Sequence, residues 1–162
     1  MIARMFGRWT LLVAVFMVLS AISTAAWASH YRIALLEVFD EQKVEALIEV
    51  GIVTTEDFLI NGLTRAQRQQ LSEQSGISEL EVLVFARLCE LLQIEGVGPR
   101  AAQLLRAAGI VSVSDLAGRD PTELTQQLGA VNAVEQLTGI TPAVENVEAW
   151  ISDAALVPYH LD

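Results

Sequence analysis

The chain has 162 residues, 52% of them apolar and 19% charged, and its 20 acidic against 10 basic residues give a net charge of −10. That length suits one compact domain or two very small repeats and excludes a large multidomain enzyme, and the apolar content excludes disorder of the whole chain. The single cysteine, Cys89, excludes a disulfide scaffold, and the acidic balance is opposite in sign to that usual in a nucleic-acid binder.

The first element is an apolar leader. Arg4 and Arg8 precede a stretch from Trp9 to Ser29 that carries no charge. Its centre runs from Leu11 and Leu12 through Phe16 to Leu19, and a more polar stretch ends in Ala26-Trp27-Ala28. A positive start, an apolar centre and small residues at Ala26 and Ala28 form the three-part pattern of an export signal, with cleavage after Ala28. The same run is long enough to span a bilayer as a retained anchor, oriented N-in by its two arginines. A buried core helix is the third reading, which the flanking arginines and the lack of polar periodicity oppose. The first two readings place the rest of the chain outside the cytoplasm. Without Arg4 and Arg8 that remainder has 8 basic and 20 acidic residues, a charge of −12.

A repeat organises the rest of the chain. Val44 to Leu59 and Ala102 to Ala117 read alike: an amphipathic helix, then Gly-Ile-Val at Gly51 or Gly109, a hydroxyl residue and an acidic residue. This predicts a helix ended by glycine in a left-handed cap, with the isoleucine folded back on the last turn. Thr54 or Ser112 then caps the next short helix, whose first turn carries Glu56 and Asp57 or Asp115. Thr64 and Thr122 open further helices. Gly76-Ile77-Ser78 and Gly139-Ile140-Thr141 precede longer ones, expected over 79–93 and 142–155, and five extra residues of the second copy fall within 129–139. The expected fold is all-α, with about five short helices per copy: a first unit over 29–93, a second over 94–156, and a loose tail over 157–162.

Between the copies lies Ile94-Glu95-Gly96-Val97-Gly98-Pro99-Arg100-Ala101-Ala102. Gly96 and Gly98 are both expected to take positive φ in a tight turn, so a β-branched residue at Gly98 should destabilise it. Val97 is expected to point inward and Pro99 to start the next helix, where a missing N–H costs nothing. Arg100 is the cation of the loop.

These residues resemble the helix-hairpin-helix motif. G-V-G-P-R-A-A-x-L-L followed by A-G-I-V-S-V-S-D-L is similar to its extended five-helix form and to a bacterial group of tandem domains of unknown function. The resemblance covers about 35–156. The first copy departs from it, since Glu37-Val38-Phe39-Asp40-Glu41 has no glycine at the hairpin position. In that family the hairpin amides and helix N-terminus can hold a nucleic-acid phosphate. The resemblance therefore implies a phosphate contact at the hairpin. The charge of −12, Glu95 beside the turn, and Lys43 as the only lysine argue against it here. The stretch from Thr55 to Leu71 is also similar to the extrinsic lumenal helix-hairpin-helix subunit of photosystem II, an exported, non-enzymatic cap on a membrane complex.

Other chemistry finds little support. His30 and His160 lie at opposite ends of the soluble part, and neither has companions at metal-ligand spacing. Glu73, Glu79, Glu81 and Glu90 read as a solvated helix face, and Arg65 and Arg68 with their glutamines as a polar stripe facing solvent or a partner. Trp150 reads as core, with an interface as the alternative. No enzyme, cofactor or metal is indicated. The expected function is a non-catalytic, exported or membrane-anchored interaction module, an accessory subunit of a membrane-associated complex with protein partners, touching the membrane through residues 9–28 if that segment is retained. Extracytoplasmic nucleic-acid binding through Gly96, Val97, Gly98, Pro99 and Arg100 is the alternative.

Overall fold

The computed structural model describes residues 30–36 and 38–162. Arg4, Arg8, Leu11, Leu12, Phe16, Leu19, Ala26 and Ala28 lie outside the described residues. No helix among the described residues is long and apolar enough to cross a membrane.

Every named element among the described residues is helical. A 3-10 turn at Ile33–Leu35 leads into α1 (Glu41–Glu49), α2 (Thr55–Gly62), α3 (Arg65–Ser75) and α4 (Glu79–Leu91). Then come α5 (Pro99–Ala107), α6 (Val113–Ala117), α7 (Pro121–Glu135) and α8 (Val144–Ala154). Extended pairing among them is confined to a single bridge, Arg32 with Thr54. Four α-helices thus fall in each stretch where about five were expected; in the first stretch the 3-10 turn is the additional element.

Local chemistry sets most boundaries. Asp40, Thr54, Thr64, Ser78, Ser112 and Asp120 each accept a hydrogen bond from a first-turn amide of the helix they precede. Thr54, Thr64 and Ser78 complete capping boxes with Asp57, Gln67 and Glu81. At the ends of α1 and α5, Gly51 and Gly109 share a φ of 86°. Ile52 and Ile110 then donate their amides back to Leu47 and Leu105 and are buried.

Packing repeats along with the caps. α1 lies on α3, α2 on α4 and α3 on α4; in the second half α5 lies on α7, α6 on α8 and α7 on α8. One apolar core runs through both halves, joined where α4 meets α5. Phe85 of α4 is its aromatic centre in the first half, edge-on to Phe58 at 4.6 Å and tilted against Phe39 at 4.7 Å between ring centroids.

The two halves diverge after α3 and α7. Ile77 is buried and Ser78 caps α4, whereas Ile140 is 87% exposed and α8 follows Ala143 with no side-chain cap. Glycine ends α3 at Gly76, but α7 ends at Gln136, with φ of 50°. Helix α7 has 15 residues against 11 in α3, so Gly129, where added length was expected to begin, is helical. Asp120 and Pro121, rather than Thr122, open α7. Helices α4 and α8 stop short of the expected 79–93 and 142–155.

Residues 157–162 are a docked strap, correcting the expectation of a loose tail. Tyr159 exchanges two hydrogen bonds with Gln93, the Leu161 amide donates to Glu90, and Asp162 reaches Arg68. His160 sits within that strap with its side chain exposed.

Candidate interaction site at the Gly96–Arg100 hairpin

The hairpin begins where α4 unwinds. The amide of Ile94 donates to Leu91 and that of Val97 to Ile94, giving two successive tight turns. Between them Gly96 adopts a φ of 77°. A side-chain carbon there would lie 3.2 Å from Nε1 of Trp150, so the backbone conformation favours glycine and the indole would be crowded by any larger residue. Val97 is 1% exposed and anchors the turn in the core, as expected.

Gly98 does not behave as expected. Its φ of −84° and ψ of 175° are ordinary extended backbone, the N-cap conformation for α5. A Cβ at this position would meet only the Tyr31 hydroxyl, at 3.9 Å, so no positive-φ strain opposes a larger residue. One left-handed residue suffices because Gly98 enters α5 from an extended conformation. Pro99 occupies the first turn of α5, as its missing N–H allows.

Gly98 supplies no side-chain cap, which leaves the first-turn amides of α5 without the side-chain acceptor that six of the other helices have. Positive helix-end charge therefore gathers at a turn beside Glu95 and Arg100, both exposed. Arg100 donates from Nη1 to the Leu137 carbonyl at 3.4 Å, tying the hairpin to the loop after α7. Arg106 lies further along α5, and burial lowers its pKa. Such a site can accept an oxyanion or a carbonyl oxygen through amides and one guanidinium. The five hairpin residues offer no nucleophile and no general base.

The structure brings Gly96, Val97, Gly98, Pro99 and Arg100 together and adds Trp150 and Tyr31, which sequence order leaves far away. Trp150 is 6% exposed, consistent with its core assignment. Tyr31 carries no periodic signal by which sequence reasoning could place it there.

Other assignments change with burial. Arg68 is 6% exposed instead of part of a solvent-facing stripe; its Nη1 donates to the carbonyls of Gly62 and Leu63. Glu90 is 1% exposed instead of on a solvated face, accepting from Arg87 and from the Leu161 amide. Glu81 pairs with Lys43 at 2.7 Å, and the hydrogen bonds from Lys43 and then Ser78 lower its pKa to about 2. Cys89 is buried among apolar side chains, and burial pushes its thiol well up. His30 stands 3.4 Å from Glu56. Among the described residues no group of three or more His, Cys, Asp or Glu is placed to hold a metal ion.

Neither the curated proteins nor the solved structures contain a significant match to this chain. A family model described as a domain of unknown function, DUF4332, matches residues 37–156, which takes in the eight α-helices among the described residues. The chain belongs to the DUF4332 family.

Proposed function

We propose that this protein is a non-catalytic interaction module, exported or anchored by its N-terminal apolar segment, that serves as an accessory subunit of a membrane-associated protein complex. In this reading its two halves are tandem helix-hairpin-helix-type units, the second of which carries the intact hairpin. The observation that carries it is the charge around the hairpin. Arg100 is its one cation, and one of its donors is shared with the Leu137 carbonyl at 3.4 Å. Beyond Arg119 the sequence has no further Lys or Arg, while Glu123, Glu135, Glu145 and Glu148 are exposed. A polyanion is repelled by such a surface, whereas a protein partner with basic groups is not. The charge-free run from Trp9 to Ser29 supports the location.

Mild-detergent extraction followed by native electrophoresis and crosslinking tests this reading. The expected result is migration with other membrane polypeptides, and migration as a free monomer overturns it. One observation favours a second reading, extracytoplasmic nucleic-acid binding: the first-turn amides of α5 lack a side-chain cap. Binding through them must weaken steeply with salt and fall on Arg100→Ala. Absence of binding at low salt removes it.

A further inference from the structure

The loop between α7 and α8, residues 136–143, turns outward what its counterpart in the first half buries. Gly76-Ile77-Ser78 joins α3 to α4 with its isoleucine in the core, whereas Ile140 is the most exposed large apolar side chain among the described residues. Val134, in the last turn of α7, is exposed too. From Leu124 to Val144 the chain carries one charge, Glu135. A solvent-facing stretch this poor in charge, and exposing an isoleucine, has the composition of an interface core.

That exposure is built into the fold. Asn132, buried in α7, holds the loop: its Oδ1 accepts from the Thr138 amide at 2.9 Å. Its Nδ2 donates to the Thr138 carbonyl at 3.0 Å and to Oγ1 of Thr141 at 3.4 Å. Thr141 also lies over Gly129, where a side-chain carbon would meet its Cγ2 at 3.8 Å. From the hairpin side, Arg100 donates to the Leu137 carbonyl. Gln136 turns the chain into the loop at a φ of 50°, the single non-glycine residue at positive φ among those described. Such a conformation is unfavourable and persists only where surrounding contacts impose it. A loop fixed on both sides of Ile140 gives up little conformational freedom when a partner buries that side chain.

We propose that the 136–143 loop docks in an apolar pocket of another protein, with Ile140 as the anchoring side chain and lysine or arginine at the pocket's rim. The flanking charge sets the rim. Glu135 and Glu145 stand at the two ends of the loop and Glu148 follows one turn into α8; all three are exposed, and no Lys or Arg follows Arg119 in the chain. Such flanks attract a basic rim and are repelled by an anionic lipid surface. Two copies of the same acidic loop facing each other across a two-fold axis repel as well, which disfavours a second copy of this chain. This role rests on the interaction-module reading above and adds to it the face that makes the contact and the chemistry it meets.

The test uses the full-length chain in its own membranes, with photoreactive benzoylphenylalanine in place of exposed Ala143. Illumination, mild-detergent extraction and mass spectrometry are expected to find position 143 joined to a different polypeptide. Adding Ile140→Ser should lower that adduct about 10-fold, and Glu135→Lys/Glu145→Lys about 5-fold. Leu80→Ser, which removes an exposed leucine from the first half, should leave it unchanged. Circular dichroism melts check that each variant folds as the parent does. An adduct that survives Ile140→Ser or the charge reversal, or that falls equally with Leu80→Ser, overturns the proposal. So does an adduct to lipid, an adduct to a second copy of the chain, or none. Native electrophoresis of the same extracts separates the two readings. A parent that migrates within a complex but shows no loss with Ile140→Ser leaves the accessory-subunit reading standing alone, whereas a free parent monomer removes both.

Discussion

The indole nitrogen of Trp150 stands 3.2 Å from the point where a side-chain carbon on Gly96 would be, so helix α8 packs closely on the turn between α4 and α5. Gly96→Ala therefore meets two penalties, a φ of 77° and the indole. The expected loss is about 1–2 kcal/mol in urea unfolding. Gly98→Ser, only two positions away, should be neutral or slightly stabilising, because its φ is already negative and serine can cap α5. Equal losses at both positions would show that the turn is misassigned.

Arg68 joins carbonyls at the end of α2 to Asp162 of the strap. Arg68→Met removes a buried guanidinium and leaves the Gly62 carbonyl without its donor, an expected cost of about 2–4 kcal/mol in thermal or urea unfolding. Asp162→Asn should cost much less, because its carboxylate is half exposed and solvent screens the pair.

Acid should weaken the protein through Glu81. Its folded pKa of about 2 lies below the ordinary 4.5, so between those values the unfolded chain binds a proton that the folded chain does not. Stability from the Lys43 pair is therefore fully present above pH 4.5 and lost as pH falls through about 2. Asp162, lowered by its hydrogen bond from Arg68, adds loss in the same direction. Glu81→Gln is expected to flatten the acid limb of the urea midpoint against pH. At the other end, Lys43 is raised above 10.5 by hydrogen bonds to Glu81 and Asp40, so its contribution is kept below that value and lost as pH rises past it.

The Cys89 thiol is 1% exposed and its pKa is raised by burial. A thiol reagent should leave it unmodified in the native protein at neutral pH and label it fully in denaturant. Rapid native labelling, read by intact mass, would mean that α4 opens on its own.

Thr54 and Ser112 fill the same place in the two halves, but Thr54 also completes a capping box with Asp57. Thr54→Ala should cost about 1–2 kcal/mol and Ser112→Ala about 0.5–1 kcal/mol in urea unfolding, each without loss of the other helices.

What was legible in the sequence was local. Caps at Thr54, Thr64, Ser78 and Ser112, the glycine stops at Gly51 and Gly109, and the Pro99 start depend on hydrogen bonds spanning three to five residues, so residue type and spacing determine them. The same holds for the all-helical class and for Val97 as the buried pin of the hairpin. The fate of long polar side chains was not legible. Arg68 and Glu90 stand at helical positions that read equally well as solvated; local partners hold part of each, and the arrival of Asp162 and Leu161, 94 and 71 residues away, adds the remaining ones. Trp150 likewise became the wall behind Gly96 because α8 folds back on the turn. Short-range hydrogen bonding wrote the helices into the sequence, whereas burial of a charge is decided by whatever distant chain comes to lie over it.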